Sequence, residues 1–191
     1  MHRVRLAGPA DAAAIAAIYA PSVTGTATSF ELTPPGAGEV AERIARLAPH
    51  APWLVLVRGD EVAGYAYASR HRERAAYQWS VDTSVYVHAD ARRSGVGRSL
   101  YRALLSLLEL QGFYAAHAGI TLPNPGSVAL HEAMGFGRIG TEPAVGYKLG
   151  AWHDVGWWQR PLRPRTGAPV APLTVREAEV LPGWRAALDA A

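Results

Sequence analysis

A turn rich in glycine and arginine has the clearest chemistry in this sequence. Its residues run Arg92-Arg93-Ser94-Gly95-Val96-Gly97-Arg98-Ser99 and precede an amphipathic segment. The first N–H groups of a helix have no partners inside the helix, and the helix dipole makes that end positive. Gly95 and Gly97 let the main chain approach a ligand closely, and the arginines add positive charge. The turn therefore predicts an anion site suited to a pyrophosphate.

The turn by itself leaves a purely structural role open, because many strand–helix turns need glycine for backbone reasons. Two other phosphate loops do not fit. The sequence contains no G-x-x-x-x-G-K-[ST], which is the pattern of a Walker-type nucleotide site. The spacing and late position of the glycines also differ from the G-x-G-x-x-G dinucleotide fingerprint.

A second group of polar residues, Asn124, Ser127 and His131, is spaced by three and four positions. This spacing places them on one face of the start of a helix. Histidine has an ordinary pKa of about 6.5, so His131 is a candidate acid or base near neutral pH. From the residues alone, a histidine packed for structural reasons beside Met134 and Phe136 is the alternative.

The elements that must position these residues follow from hydrophobic periodicity. Strands are predicted at 4–6, 53–57, 62–71, 77–87 and 115–120, with two more inside 136–149 and 152–162; helices are predicted after Pro9 and at 39–47, 96–111 and 127–134. This order predicts an α/β sandwich around a mixed sheet. The predicted domain spans residues 1–162, and the Pro-rich segment 163–191 is predicted to be a surface extension. Thr174-x-x-Glu177 in that segment is a capping-box sequence for a short helix.

Composition narrows the class of protein. Nearly half of the 191 residues are hydrophobic and 18% are charged, as in globular domains. The chain has no cysteine, which excludes disulfides and thiolate chemistry. No apolar run approaches the roughly 18 residues of a membrane span, and the N-terminus lacks a secretory apolar core, so we expect a cytoplasmic protein without membrane contact. The net charge of +3 is modest and the arginines are scattered among acids, so nucleic-acid binding is not expected.

The pattern Arg92-x-x-Gly95-x-Gly97 after Val85-Tyr86-Val87 resembles the acyl-CoA signature of the GNAT superfamily of N-acetyltransferases. Over about residues 3–162 the chain also resembles phosphinothricin acetyltransferases. The blocks that carry this resemblance are Trp53-Leu54-Val55, Gly64-Tyr65-Ala66-Tyr67-Ala68, Ala76-Tyr77, Ser84-Val85-Tyr86-Val87-His88, Leu122-Pro123-Asn124, Ser127-Val128-x-Leu130-His131-Glu132-x-x-Gly135-Phe136, Gly146-Tyr147-Lys148-x-Gly150-x-Trp152-x-Asp154-Val155 and Trp158-Gln159-Arg160.

The resemblance implies a mostly antiparallel central sheet with helices on both faces and a splayed pair of parallel strands that holds acyl-CoA. It implies acetyl-CoA as co-substrate, no metal, and a homodimer. The implied acceptor is the α-amino group of a small amino-acid-like molecule such as phosphinothricin, methionine sulfone or methionine sulfoximine. The implied cofactor-binding residues are Val85, Tyr86, Val87, Arg92, Arg93, Ser94, Gly95, Val96, Gly97, Arg98, Ser99, Asn124 and Ser127.

The reaction needs a base, because an ammonium group has no lone pair with which to attack a thioester. The family's candidate is the glutamate of the motif T-V-E-x-[ST]-V-Y-V, where this chain has Asp82, one methylene shorter. We expect Asp82 to keep the role of base, with His131 assisting; a structural hydrogen-bonding role for Asp82 is the alternative. The shorter side chain changes the geometry by about one ångström, enough to cost rate.

The residues that face the acceptor in the family correspond to Phe30, Tyr67, Arg74, Tyr77 and Trp79. Arg74 would pair with a carboxylate or phosphinate and Tyr77 would hydrogen-bond to it. Without the resemblance, Arg74 reads as one more solvated arginine in the run 70–74.

Three other functions stay open at this point. The chain could acetylate another amine, such as an aminoglycoside-like compound or a protein N-terminus. It could be a non-catalytic acyl-CoA-binding module, to which the change from glutamate to aspartate points. A nucleic-acid binder is third, and salt-dependent binding to an oligonucleotide would reveal it.

Overall fold

Seven strands form one sheet in the computed structural model, which describes residues 2–190. The strands are β1 (His2–Leu6), β2 (Trp53–Arg58), β3 (Glu61–Arg70), β4 (Ser80–Val87), β5 (Ala115–Thr121), β6 (Gly137–Lys148) and β7 (Ala151–Pro161). Their spatial order is β1-β2-β3-β4-β5-β7-β6. The helices are α1 (Ala12–Thr24), α2 (Ala37–Leu47), α3 (Val96–Gln111), α4 (Pro125–Ala133), α5 (Val175–Ala178) and α6 (Trp184–Asp189).

One pair of neighbouring strands is parallel and the other pairs are antiparallel. The parallel pair is β4 and β5, and it is short: Ser80–Asp82 faces Ala115–His117. At the next position the Thr83 hydroxyl donates a hydrogen bond to the His117 carbonyl oxygen at 3.0 Å. Beyond this point β4 and β5 no longer pair, which confirms the splayed pair that the resemblance implies. We call this point the fork.

Helices cover both faces of the sheet because alternate strand residues on each face are apolar. On one face α3 buries Leu100, Leu104 and Leu108 completely against the sheet. On the other face α1 and α2 pack over Trp53 and Tyr65. The mixed α/β fold with helices on both faces is therefore confirmed.

Element boundaries differ from the predicted ones by up to three residues. β4 begins at Ser80 and not at position 77, because Ala75–Tyr77 form a single 3₁₀ turn. α4 begins at Pro125 because Asn124 caps it, accepting a hydrogen bond from the Ser127 N–H at 3.1 Å.

The C-terminal segment is packed against the domain, unlike the surface extension expected from its composition. Val175 and Ala178 of α5 and Trp184 of α6 are buried in the same core cluster as α3. The Gln111 side-chain amide donates to the carbonyl oxygens of His50 and Leu173, at 3.0 and 2.8 Å, and so fixes the start of this segment. Within residues 2–190, no helix is long and apolar enough to cross a membrane.

Candidate active site

The fork presents different side chains on the two faces of the sheet. Val81 and Thr83 point toward α3 and are buried. Asp82 lies on the opposite face, and its parallel partner in β5 is His117. This is the face that α1 and α2 partly cover, and we call it the acceptor face. A ligand that enters the fork would therefore meet the Asp82 carboxylate from the acceptor face.

The predicted anion turn connects β4 to α3 and has a left-handed backbone at two residues, Arg93 (φ 56°) and Gly95 (φ 87°). The Ser94 hydroxyl donates to the Ala91 carbonyl oxygen at 2.6 Å, and Arg58 donates to the Ser94 carbonyl oxygen at 3.0 Å. The turn is thus held in shape by its own bonds, with Gly95 as the N-cap of α3. Its geometry fits a pyrophosphate, because the free N–H groups of the helix start point outward at an exposed glycine.

The arginines of this turn are available to an anion. Arg92, Arg93 and Arg98 are exposed, and none has a carboxylate partner within 4.0 Å among residues 2–190. Gly97 has a packing role as well, because an added Cβ there would lie 3.1 Å from Leu130 of α4. The three arginines, Ser94 and Gly95 therefore form one exposed basic surface at the start of α3, whereas Val96 of the same turn is buried in the core.

Replacing Gly95 by valine is expected to weaken acetyl-CoA binding by roughly 10- to 100-fold. An added Cβ would touch nothing within 4 Å, so the cost comes from the backbone, which has φ 87°. A β-branched residue in this region pays about 1–3 kcal/mol or moves the turn out of its binding shape. Calorimetric titration with acetyl-CoA measures the change. Gly38→Ala, which also meets nothing within 4 Å but lacks a positive φ, is the control; an unchanged dissociation constant in Gly95→Val would contradict the assignment.

The strand residues predicted to bind the pantetheine arm lie just beyond the fork. Val85, Tyr86 and Val87 pair with β3 along one edge, and the other edge faces the gap where β5 has diverged. Their main-chain groups on that side are available to a ligand. Asn124 lies at the end of the loop after β5, and its side-chain oxygen is used by the cap of α4. Its amide nitrogen has no hydrogen-bond partner among the described residues.

His131 is 4% exposed, and both of its ring nitrogens are engaged. A carbonyl oxygen can only accept, so the contact of Nδ1 with the Ser127 carbonyl oxygen at 2.8 Å places a proton on Nδ1. Nε2 then accepts from the Tyr101 hydroxyl at 2.8 Å. Burial lowers the pKa of His131, so the ring is neutral at neutral pH. His131 therefore lies on the α3 side of the sheet, next to Tyr101. This fully buried tyrosine was not identified from the sequence.

Asp82 forms a close pair with His71, the residue that follows β3. Asp82 Oδ1 lies 2.7 Å from His71 Nδ1, and their side chains are 30% and 14% exposed. Burial raises the pKa of the Asp82 carboxyl, while the hydrogen bond from His71 acts in the opposite direction. The carboxylate expected to act as base is therefore already bound to an imidazole.

His117 stacks on His71, with ring centroids 4.1 Å apart and planes within 12°. The Gln159 amide donates to His117 Nε2 at 3.0 Å. Burial, followed by the neighbouring His71, lowers the pKa of His117 to about 4, so this imidazole is neutral at neutral pH.

The three side chains of His71, Asp82 and His117 also offer ligand atoms within 4.8 Å of one another. A ligating imidazole directs a nitrogen lone pair in the plane of its ring toward the ion. Two rings stacked face to face cannot both do so toward one ion without a rearrangement. The observed arrangement is that of a carboxylate–imidazole pair resting on a second ring.

Two cavities open near the acceptor face. One of about 500 Å³ lies between the helices and the sheet and includes Tyr67, whose ring stacks on Trp53 at 4.3 Å. The other, of about 1030 Å³, includes His71 and Ser80. Four arginines also line it, and none of them has a carboxylate within 4.0 Å among residues 2–190: Arg46, Arg70, Arg72 and Arg74. We call it the arginine cavity.

The predicted acceptor residues are spread over this region. Arg74 lines the arginine cavity, and the Tyr77 ring lies 6.3 Å from that of His71. Phe30 packs over Gly146 of β6, where no Cβ could fit. Trp79 donates to the Val170 carbonyl oxygen at 2.8 Å and is thereby tied to the C-terminal segment. Of this set, Arg74 shares the arginine cavity with His71, and Tyr77 lies edge-on to the His71 ring.

Sequence reasoning missed His71 and His117. His71 stood in a run of charged residues with no visible purpose, and His117 showed no ligand spacing. The signal for both lies in strand register: Asp82 pairs with Ser69 of β3 and with His117 of β5. Register cannot be read from a single sequence where the parallel pairing covers three residues.

Comparison with known proteins agrees with this architecture. The Acetyltransferase (GNAT) family model matches residues 21–136. The chain is 42% identical over 172 residues to a phosphinothricin N-acetyltransferase of Streptomyces viridochromogenes, which covers 90% of this chain and 94% of that protein. It is 36% identical over 171 residues to an L-methionine sulfoximine/L-methionine sulfone acetyltransferase of Pseudomonas aeruginosa, covering 87% of this chain and 98% of that one.

A solved structure gives the same result. The crystal structure of a phosphinothricin acetyltransferase from Sinorhizobium meliloti in complex with AcCoA has a TM-score of 0.85 at 36% identity, covering 88% of this chain and 93% of that one. The match to the family model, the sequence identity to these relatives and the observed fork with its anion turn all lead to the same assignment. The chain belongs to the GNAT family of acetyltransferases and, within it, to the phosphinothricin acetyltransferase family.

Proposed function

We propose that this protein transfers the acetyl group of acetyl-CoA to the α-amino group of a small amino-acid analogue of the phosphinothricin or methionine sulfone type. The observation that carries this proposal is the fork at Asp82, which opens toward the anion turn and meets a carboxylate–imidazole pair on the acceptor face. In the reaction, the acceptor nitrogen bonds to the thioester carbonyl carbon and the C–S bond breaks. Free CoA, the amide and one proton are the products.

The anion turn and the free edge of β4 support the acetyl-CoA part of the proposal. The pyrophosphate would lie at the start of α3 between the exposed arginines. The pantetheine arm would run along Val85–Val87 toward the fork. Main-chain N–H groups of that strand would then stabilise the oxyanion of the tetrahedral intermediate. The relative from Sinorhizobium meliloti was solved with AcCoA, which supports acetyl-CoA as the co-substrate.

The arginine cavity supports an acidic acceptor. Its four arginines lack carboxylate partners within 4.0 Å among residues 2–190, so their charges are available to a ligand. Arginine binds carboxylates and phosphorus oxyanions through two parallel N–H donors, which fixes both position and orientation. A cationic acceptor such as an aminoglycoside would meet repulsion here. The relatives named above act on phosphinothricin and on methionine sulfone or sulfoximine, which are amino acids and share an anionic α-carboxylate.

A thiol-release assay with acetyl-CoA and a panel of amines tests the proposal. The panel holds phosphinothricin, methionine sulfone, methionine sulfoximine, the common amino acids and an aminoglycoside. We expect rapid turnover with at least one of the first three compounds. Turnover with the aminoglycoside alone would overturn the acceptor class, and acetyl-CoA binding without turnover of any amine would favour a non-catalytic module.

Arg74→Ala is expected to lower kcat/KM for an acidic acceptor by roughly 10- to 100-fold. A charge-assisted hydrogen bond contributes about 1.5–3 kcal/mol, and Arg74 lines the cavity that would hold the acid group. The loss should be small for an amine without an acid group. Steady-state kinetics with both acceptors measure the difference, and Arg3→Ala on the edge strand β1 is the control. Equal kinetics for Arg74→Ala and the wild type would show Arg74 to be a solvated surface residue.

We also propose a homodimer in the cytoplasm. The hairpin of β6 and β7 exposes a group of large apolar side chains, namely Ile139, Val145, Tyr147, Leu149 and Trp152. An apolar surface of this kind suits burial against a second copy. Light scattering after size exclusion should give twice the mass of one chain, and Trp152→Glu should shift it toward the monomer. A monomer at all concentrations would contradict the proposal; cell fractionation tests the location.

A further inference from the structure

We propose that His71, held in place by Asp82, is the base that takes the proton from the acceptor ammonium group. The inference rests on the proposed function, because it assigns the proton-accepting atom of that reaction. Asp82 is then a positioning residue that acts through the imidazole. This differs from the role expected from the sequence, in which the carboxylate itself is the base.

The hydrogen bond between the two residues determines which nitrogen of His71 is free. An ionised carboxylate has no hydrogen to donate, so the 2.7 Å contact requires a proton on Nδ1. The neutral ring then carries its lone pair on Nε2. Nε2 has no hydrogen-bond partner among residues 2–190, and the residue lines the arginine cavity. His71 therefore presents an unoccupied proton acceptor on the acceptor face.

The surroundings of His71 also favour this role. The stacked His117 is neutral near pH 7, because its pKa is lowered to about 4, so it adds no opposing charge. Asp82 supplies the negative charge that stabilises an imidazolium. The cationic groups nearby are the four arginines of the cavity and Arg165, whose charge acts on His117. Their charges oppose an imidazolium, and the Asp82 carboxylate, which is in direct contact with Nδ1, offsets them.

Two aromatic side chains fix the ring on its edges. Tyr77 and Trp157 lie edge-on to His71, with centroids 6.3 and 6.2 Å away. With His117 on one face and Asp82 on Nδ1, the imidazole is held on several sides. A base held in this way loses little rotamer freedom when the acceptor binds.

The pair also accounts for the shortened carboxylate. Asp82 is one methylene shorter than the glutamate of the motif that the sequence resembles, and its carboxylate is turned toward His71. The imidazole extends the reach of the pair from the sheet toward the cavity. In this chain, aspartate and histidine together take the place of one longer acid.

Every proton transferred in this reaction has a donor and an acceptor, and no further reactant is needed. His71 Nε2 takes a proton from the acceptor ammonium group, and the neutral amine attacks the thioester carbonyl carbon. The tetrahedral intermediate collapses with cleavage of the C–S bond, and the proton on its nitrogen passes to the departing thiolate, giving free CoA and the amide. The imidazolium of His71 then releases its proton to solvent.

His71→Gln tests the inference in the full-length protein. We expect kcat to fall roughly 10²-fold or more, in the range lost with a general base, while KM for acetyl-CoA stays unchanged. Asp82→Asn should cost less, because the imidazole remains. His2→Gln on the edge strand β1 removes a different histidine and is the control. Wild-type kcat in His71→Gln, or a larger loss in Asp82→Asn than in His71→Gln, would overturn the assignment.

Two further measurements test the tautomer of His71 and the alternative of a metal site. Two-bond ¹H–¹⁵N spectra of the substrate-free protein above neutral pH should show His71 protonated on Nδ1, and a proton on Nε2 would overturn the inference. Activity should survive dialysis against EDTA; loss of activity that Zn²⁺ restores would overturn it in favour of a metal site. Failure of the proposed function appears as a wild-type enzyme inactive with every amine, whereas failure of this inference appears as an active His71→Gln variant.

Discussion

Substituting Asp82 by glutamate is expected to lower kcat by roughly 10²-fold, although glutamate is the residue in the motif that this sequence resembles. The Asp82 carboxylate already lies 2.7 Å from His71 Nδ1, so an added methylene must either push the imidazole away or bend aside. A displacement of about one ångström at a reacting group can cost that much rate. Steady-state kinetics with the preferred acceptor measure the loss.

The double variant provides the matched control. When His71 is also replaced by glutamine, a glutamate at position 82 no longer has to hold an imidazole. We expect Asp82→Glu to raise kcat above that of His71→Gln alone, because the longer acid can then act as the base itself. The two substitutions should therefore be strongly non-additive. An increase in kcat in Asp82→Glu alone would show that the carboxylate is the base in the natural protein.

Replacing Trp184 by alanine is expected to lower the free energy of unfolding by about 3–5 kcal/mol, as for other buried tryptophans. Trp184 is 6% exposed and belongs to the main core cluster, although it lies in the segment beyond residue 162. A loss of this size is a large fraction of the stability of a typical domain. Urea denaturation followed by circular dichroism measures it.

Val180→Ala is the control in the same segment. Val180 is 84% exposed, so its truncation should change the free energy of unfolding by less than about 0.5 kcal/mol. If both variants were as stable as the wild type, the C-terminal segment would be the surface extension that its composition suggests. If Trp184→Ala alone is destabilised, residues 175–189 are part of the domain.

The fold could be predicted to a large extent because its signals are local. The apolar positions of α3 recur at helical spacing and Gly112, with φ 96°, ends the helix where predicted. The anion turn was equally visible, since two glycines and three arginines stand together in the chain. The resemblance then implied the mostly antiparallel sheet and its splayed parallel pair.

The acceptor face was less predictable than the fold, because it depends on contacts between residues that are distant in the sequence. The pair joins His71, the residue after β3, to Asp82 of β4, and its geometry follows from the register of these two strands. The burial of Trp184 was hidden for a similar reason: the Pro-rich stretch before it suggested an extension, while its packing partners lie on α3. The hydrogen-bond partners of His131 were also hidden in the sequence, because only the structure shows that both ring nitrogens are bound.

The proposed reaction is acetylation of the α-amine of a small amino-acid analogue. Incubating the wild-type protein with acetyl-CoA and phosphinothricin, and following both free thiol and the mass of the acceptor, tests it most directly. We expect one thiol released for each acceptor molecule that gains an acetyl group on its α-nitrogen, and a rate at least roughly 10²-fold lower in His71→Gln. Thiol release without an acetylated acceptor, or no release with phosphinothricin, methionine sulfone or methionine sulfoximine, would contradict the proposed function.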